Sequence, residues 1–192
     1  MSEEARAQLE LCNKTLGEDF HLTHVHAITA AANLELAAGD AAGAAHRLRD
    51  AWAQIERIGV LRMQLPRVEL ALLRARIALA DEPRRGREAR GLAEEMLGEG
   101  VPWAKALGTL VVAACHAWDG DHPSAVRELL AAEAELDAAD MQGYLNVARL
   151  YRAELQGGPA GDAAAATARE ALADLGAVNP ESLARYLVPW PR

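Results

Sequence analysis

Four aspartates, Asp40, Asp81, Asp121 and Asp162, recur at spacings of 41, 40 and 41 residues. Each follows a mostly apolar segment of helical periodicity and precedes one rich in alanine or charge. The first instance, Leu34 to Asp50, reads as the end of one helix, a Gly39-Asp40 turn and the start of a second helix. A period of this size is the mark of helical hairpins packed side by side, since a single hairpin cannot bury its apolar face alone. The chain is therefore expected to be all-α, with its core distributed along an array of hairpins.

The apolar spacing predicts the elements in order. An N-terminal helix covers 3–16, with Ala5, Leu9, Cys12 and Leu16 on one face and Ser2 as its cap. Paired helices follow at 19–38 with 41–58, 62–80 with 83–97, 102–118 with a helix running from Gly120-Asp121 to Ala138, and 141–156 with 162–175. Pro66, Pro83, Pro102 and Pro123 fall in first turns, where a missing N–H costs nothing. Gly59, Gly98, Gly100 and Gly176 close helices. Asp140 is expected to cap the helix at 141–156, and Gly157-Gly158-Pro159 to break the chain after it. A last short helix begins at Asn179-Pro180-Glu181, a cap, a first-turn proline and a first-turn acid. It is expected to cover the open apolar end of the array, with Trp190 packing back onto it or lying in a neighbour. The whole of 1–192 reads as one domain: an N-terminal helix at 1–17, hairpins at 18–60, 61–100, 101–139 and 140–176, and a capping helix and tail at 177–192.

Composition bounds the function. The chain is 51% hydrophobic but only 4% aromatic, so it buries area through many small contacts between closely approaching helices. A net charge of −8 argues against a general nucleic-acid binder, which carries a basic footprint. Residues 41–90 nonetheless hold eleven basic and six acidic residues, a local balance of +5 against −13 elsewhere. Cys12 and Cys115 lie far apart and form no C-x-x-C unit, which fits a reduced, cytoplasmic protein. The N-terminus has no basic-then-apolar signal pattern, and the longest apolar-rich stretch, Leu107 to Trp118, is too short to span a membrane.

Catalytic chemistry finds no convergent set, and no enzyme is expected. His21 and His24 are three residues apart on one helical face, a spacing at which two imidazoles can share zinc if further ligands join, but ordinary surface or capping roles account for them. Cys115 and His116 are sequence neighbours and point apart on a helix, so Cys115 reads as a small buried hydrophobe. No cofactor or metal is expected. Arg84, Arg85, Arg87 and Arg90 form the densest basic patch, able to grip an acidic peptide, a phosphate or a nucleic-acid backbone, though no aromatic residue interleaves with it as nucleic-acid binding would favour. The scarce Trp52 and Trp118 read as packing mass, and Trp103, beside Pro102, as the most exposed.

Small residues inside the first helices (Ala31, Ala75, Ala114, Ala148), the Gly-Asp or Ala-Asp turn, and the Ala/Leu stripe of the second helices (Ala44-Leu48-Ala51, Ala89-Leu92, Ala125-Leu129-Ala132) together resemble the tetratricopeptide-repeat superfamily. The resemblance covers about 19–176 and is to a divergent, longer-helix class, similar to the repeat regions of large bacterial serine/threonine kinases and MalT-like regulators. It implies a TPR-like right-handed superhelix of antiparallel hairpins and a non-enzymatic protein- or peptide-binding regulatory module of a bacterial signalling protein. No G-x-G-x-x-G, H-R-D or D-F-G is present, so the chain would be a detached regulatory part of a kinase system. The polar positions expected to line the concave face are His24, Asn33, Arg67, Arg74, Lys105, Asn146 and Arg149, with Trp103 beside them. Small-molecule sensing and structural oligomerisation are the rival readings. The expected partners are a protein or peptide, with self-association possible, and neither nucleic acid nor membrane.

Overall fold

The turns set the geometry of everything between them. In the computed structural model, which describes residues 3–17, 19–81 and 86–191, the helices are α1 (Glu3–Thr15), α2 (Leu22–Ala37), α3 (Ala41–Arg57), α4 (Gln64–Asp81), α5 (Gly86–Leu97), α6 (Pro102–Trp118), α7 (His122–Ala138), α8 (Gln142–Gln156), α9 (Gly158–Asp174) and α10 (Pro180–Leu187). A single 3-10 turn, Val60–Arg62, joins α3 to α4. Between α2 and α3, Gly39 takes φ +83°, a left-handed conformation that glycine adopts without Cβ strain. Asp40 then caps α3 by accepting from the Gly43 N–H at 2.8 Å. Gly120 (φ +76°) and Asp121 repeat the arrangement before α7, where Asp121 accepts from the Ser124 N–H at 3.2 Å.

Helices adjacent in sequence are adjacent in space from α1 through α9, and α2 with α4 and α4 with α6 also touch. This sequential packing is that of a helical-repeat arrangement. Two apolar cores run through it. One joins α2, α3, Val60 and one side of α4 through Val25, Leu36, Leu48, Ile55, Leu70 and Leu73. The larger one starts on the other side of α4 at Val68, Leu72 and Leu79 and continues through α5–α9 to Val188 and Trp190. Helix α4 faces both, which is why it reads apolar around its circumference and why ten of its eighteen residues are buried.

Small residues let the helices approach. A Cβ on Gly161 would lie 2.7 Å from the Ala153 carbonyl of α8, and one on Gly108 would lie 3.0 Å from the Ala93 carbonyl of α5. Backbones this close explain how a core with few aromatics is filled.

Two expectations need correction. Asp162 marks no turn: α9 begins at Gly158, so Asp162 sits exposed inside it, and the real break is Gly157 (φ +60°, ψ −172°). A first-turn proline, Pro159, starts this helix as prolines do elsewhere, and it is the stronger signal. Asp140 does not cap α8. It occupies the left-handed position after α7 (φ +55°) that Gly39, Gly59, Gly120 and Gly176 fill after α2, α3, α6 and α9, and the residue at the cap position is Met141. The C-terminal helix α10 packs on α8 and α9, its last turn meets α4 through the Tyr186 carbonyl, and the Pro189 carbonyl beyond it meets α6. Ser2, Pro83, Arg84 and Arg85 lie outside the described residues.

Two glycine substitutions separate close approach from helix propensity. Gly161→Val should lower stability by about 1–3 kcal/mol through overpacking against the Ala153 carbonyl. Gly91→Ala, where no atom lies within 4 Å of the added Cβ, should raise it by about 0.5–1 kcal/mol. Urea midpoints measured at unchanged slope check both.

Candidate functional site

The first helices of the hairpins, α2, α4, α6 and α8, share a face, and the C-terminal segment lies on it. Asn179 starts the segment by accepting from the Ser182 N–H at 2.8 Å, with Pro180 in the first turn of α10. Helix α10 stops at Leu187 because Val188 precedes Pro189 and is held extended (φ −144°, ψ 104°). Arg169 of α9 fixes the start of α10 through Glu181 (2.6 Å) and also reaches Glu154 of α8 (2.8 Å).

Three first helices then each supply a side-chain donor to a different main-chain carbonyl of this segment. Arg76 of α4 donates to the Tyr186 carbonyl from Nε (3.0 Å) and Nη2 (2.5 Å). Tyr151 of α8 donates its hydroxyl to the Val188 carbonyl at 2.8 Å. Trp118 of α6 donates its indole N–H to the Pro189 carbonyl at 3.3 Å. Helix α2 joins through Asn33, whose Oδ1 accepts from Arg76 Nη1 (3.0 Å) and from the Tyr186 hydroxyl (3.1 Å). Asn33 Nδ2 donates to the Thr29 carbonyl at 2.9 Å, which fixes the amide orientation. Rings complete the grip: the Arg76 guanidinium lies 4.4 Å from the Tyr186 ring centre, and Trp190 stacks on Tyr151 at 4.3 Å with planes 9° apart. Burial pushes the Tyr151 hydroxyl up from the ordinary tyrosine range, which keeps it the protonated donor its bond to Val188 requires.

The sequence-predicted polar positions are dispersed over several faces. Asn33 is on the face just described. His24 serves the start of α2: His21 and His24 form a reciprocal cap, and His24 Nε2 lies 3.0 Å from the Gly17 carbonyl. Arg67 reaches Glu99 (2.5 Å) and the Leu61 carbonyl (2.8 Å), bridging the two ends of the second hairpin. Arg74 turns to the opposite side of α4, 4.7 Å over the Trp52 ring and 3.7 Å from Glu88. Lys105 pairs with Glu135 at 2.8 Å within the third hairpin, which raises its ammonium pKa. Asn146 is buried and donates to the Gln142 carbonyl, while Arg149 is exposed and lies 3.5 Å from the Asn146 amide oxygen. Trp103 is half-buried against the main core, as are Trp52 and Trp118 against theirs. Of the basic cluster, Arg87 is exposed and Arg90 pairs with Asp119 at 2.5 Å; Arg84 and Arg85 are outside the described residues.

Sequence reasoning missed Arg76, Trp118, Tyr151 and Tyr186 as parts of one site. Arg76 was legible in principle: it is a charged residue between Ala75 and Ile77 in a helix whose neighbours on every side are apolar. Such a position is buried and must find acceptors.

A cavity of about 640 Å³ adjoins Tyr186, between α1 and α2, walled by Leu9, Cys12, Ala27 and Leu34 with His26 and Asn33 as polar groups. Among the described residues no group of three or more His, Cys, Asp or Glu is placed to hold a metal, and no helix is long and apolar enough to cross a membrane. Cys115 is buried and its thiol pKa is pushed up to about 11.

No protein-family model matches the chain, and neither a curated protein nor a solved structure shows significant similarity to it.

Tyr151→Phe should cost about 1–2 kcal/mol, since it orphans the Val188 carbonyl, and Trp190→Ala about 3–5 kcal/mol, both by urea denaturation. Because the Cys115 pKa is raised on folding, the stability it contributes is intact below about pH 9 and is lost as pH rises towards about 11. Cys115→Ala should therefore flatten the alkaline limb of a stability–pH curve.

Proposed function

We propose that this chain is a non-enzymatic, protein- or peptide-binding regulatory module of TPR-like right-handed superhelical form, in which the face of α2, α4, α6 and α8 grips a main chain by its carbonyls. The observation that supports it is the set of three donors, Arg76, Trp118 and Tyr151, on three successive first helices, directed at three carbonyls of one segment. Main-chain recognition by side-chain donors, with pockets for alternate side chains, is a recurring way to bind peptides. The bacterial, kinase-associated signalling setting rests on the sequence resemblance alone, and a cytoplasmic location on the separated, unpaired pattern of Cys12 and Cys115.

Small-molecule sensing is a second reading, favoured by the cavity of about 640 Å³ beside Tyr186, whose walls are mostly apolar with a few polar groups.

Selection of a displayed random-peptide library on the full chain tests the module. The expected result is a family of enriched peptides whose binding falls at least about tenfold in Arg76→Met, the equivalent of losing roughly 1.4 kcal/mol. No enriched peptide, together with a small molecule retained through purification and lost in His26→Ala, would overturn the peptide reading in favour of the sensor.

A further inference from the structure

The donors on the first-helix face are not left open: one Arg76 N–H joins α4 to Asn33 of α2, and the other Arg76 donors, the Trp118 indole and the Tyr151 hydroxyl turn to the C-terminal segment. The latter are filled by the chain's own residues 186–190. We infer that this segment is an intramolecular ligand, and that the partner which displaces it is a helical turn running into an extended, proline-containing stretch that carries an aromatic side chain at the position of Trp190. The inference rests on the peptide-binding reading and adds the identity of the ligand class and its regulation.

The chemistry of the face selects that class. Arg76, Trp118 and the Tyr151 hydroxyl present donors towards the segment, and the groups they meet there are all carbonyls. A segment seated on donors must supply carbonyls, and each N–H it brings needs an acceptor the face does not offer at these points. Proline removes N–H groups while keeping the carbonyl and biasing the preceding residue to an extended backbone. The resident segment does this twice, with Pro189 and Pro191 flanking Trp190. The Tyr151 ring then takes an aromatic side chain by stacking, and the Arg76 guanidinium takes a second one, Tyr186, on its face.

Two further observations fit a ligand that can leave. Beside the apolar surface that Ala184, Val188 and Trp190 cover, the groups left behind are polar at their tips: guanidinium, amide, indole N–H and phenol all hydrate, unlike the alanine–leucine seams between α5, α6 and α7. The linker from α9 to α10 is mostly solvent-facing, with Ala177 its one residue packed against the core. Leu175, Gly176, Val178 and Asn179 are exposed, and Gly176 has φ +94°, so the segment is joined to the array by a short solvent-facing tether. A tethered occupant acts at high effective concentration, so a partner in solution must match its chemistry to compete.

The test uses the full chain and a fluorescein-labelled synthetic peptide of residues 179–191 added in solution. Wild type should bind the peptide weakly. Trp190→Ala, which weakens the resident segment, should bind it at least about tenfold more tightly. Adding Arg76→Met to that variant should return binding to the wild-type level. A Trp190→Ala chain with unchanged helical circular dichroism and no gain in peptide binding would overturn the inference. If that variant does not fold, amide hydrogen exchange of the wild type decides. Amides of α10 should open more readily than those of α6 and α8, and equal protection throughout would overturn it by making the segment an integral part of the core. Library peptides that bind wild type while Trp190 stays stacked on Tyr151, shown by Tyr151 and Trp190 side-chain resonances that do not shift, would leave the module reading standing and sink this one.

Discussion

Arg76 is 5% exposed, and among the described residues its partners are a main-chain carbonyl, an amide oxygen and an aromatic ring rather than a carboxylate. A guanidinium taken out of water costs several kcal/mol unless its N–H groups are satisfied. Here the satisfaction comes from three elements at once: α4 carries the charge, α2 offers Asn33 and α10 offers Tyr186. Asn33 is itself locked by Thr29, so its oxygen can point only at Arg76 and the Tyr186 hydroxyl. The register of α2 on α4 and the path of the C-terminal segment are thereby coupled through one side chain.

Around that point the array is held by small apolar contacts, with charge used to connect neighbours at the surface. Pairs such as Arg67–Glu99, Arg90–Asp119, Arg152–Glu133 and Arg47–Glu35 join successive helices or hairpins. The more exposed of these, such as Arg90–Asp119, add little to stability, and all of them disfavour slipped registers, where like charges meet. The uneven basic balance of residues 41–90 fits that role, since several of its arginines are spent on acids of adjoining elements rather than gathered into one patch.

Most of the array was legible because its signals are local. Alanine–leucine periodicity, first-turn prolines and turn glycines located α2, α3, α6, α7 and α8 to within about three residues. The aspartate period failed at Asp162 because an aspartate is needed only where a cap is needed, and Pro159 had already started α9. The candidate site was far less legible, for two reasons. Helix phase turns about 100° per residue, so Arg74 and Arg76 lie on opposite sides of α4, one over Trp52 and the other under Tyr186. And the groups being held are carbonyls, which every residue has; a side-chain pattern cannot announce that Val188 and Pro189 are bound by their backbones.

The contact between Asn33 and Tyr186 spans 153 residues, and that between Arg76 and Tyr186 spans 110. A linear array of hairpins otherwise has only near-neighbour contacts, so its segments can form in any order and fray from either end. Closing a loop of that length costs roughly 1–2 kcal/mol more entropy than closing a hairpin of about 30 residues, and yields its contacts only when both ends are already built. Docking of the C-terminal segment is accordingly a late folding event of high contact order, slower than formation of the hairpins themselves. With it docked, the first and last hairpins share one fate and melting becomes concerted; with it released, the chain reverts to a one-dimensional array whose ends come apart independently.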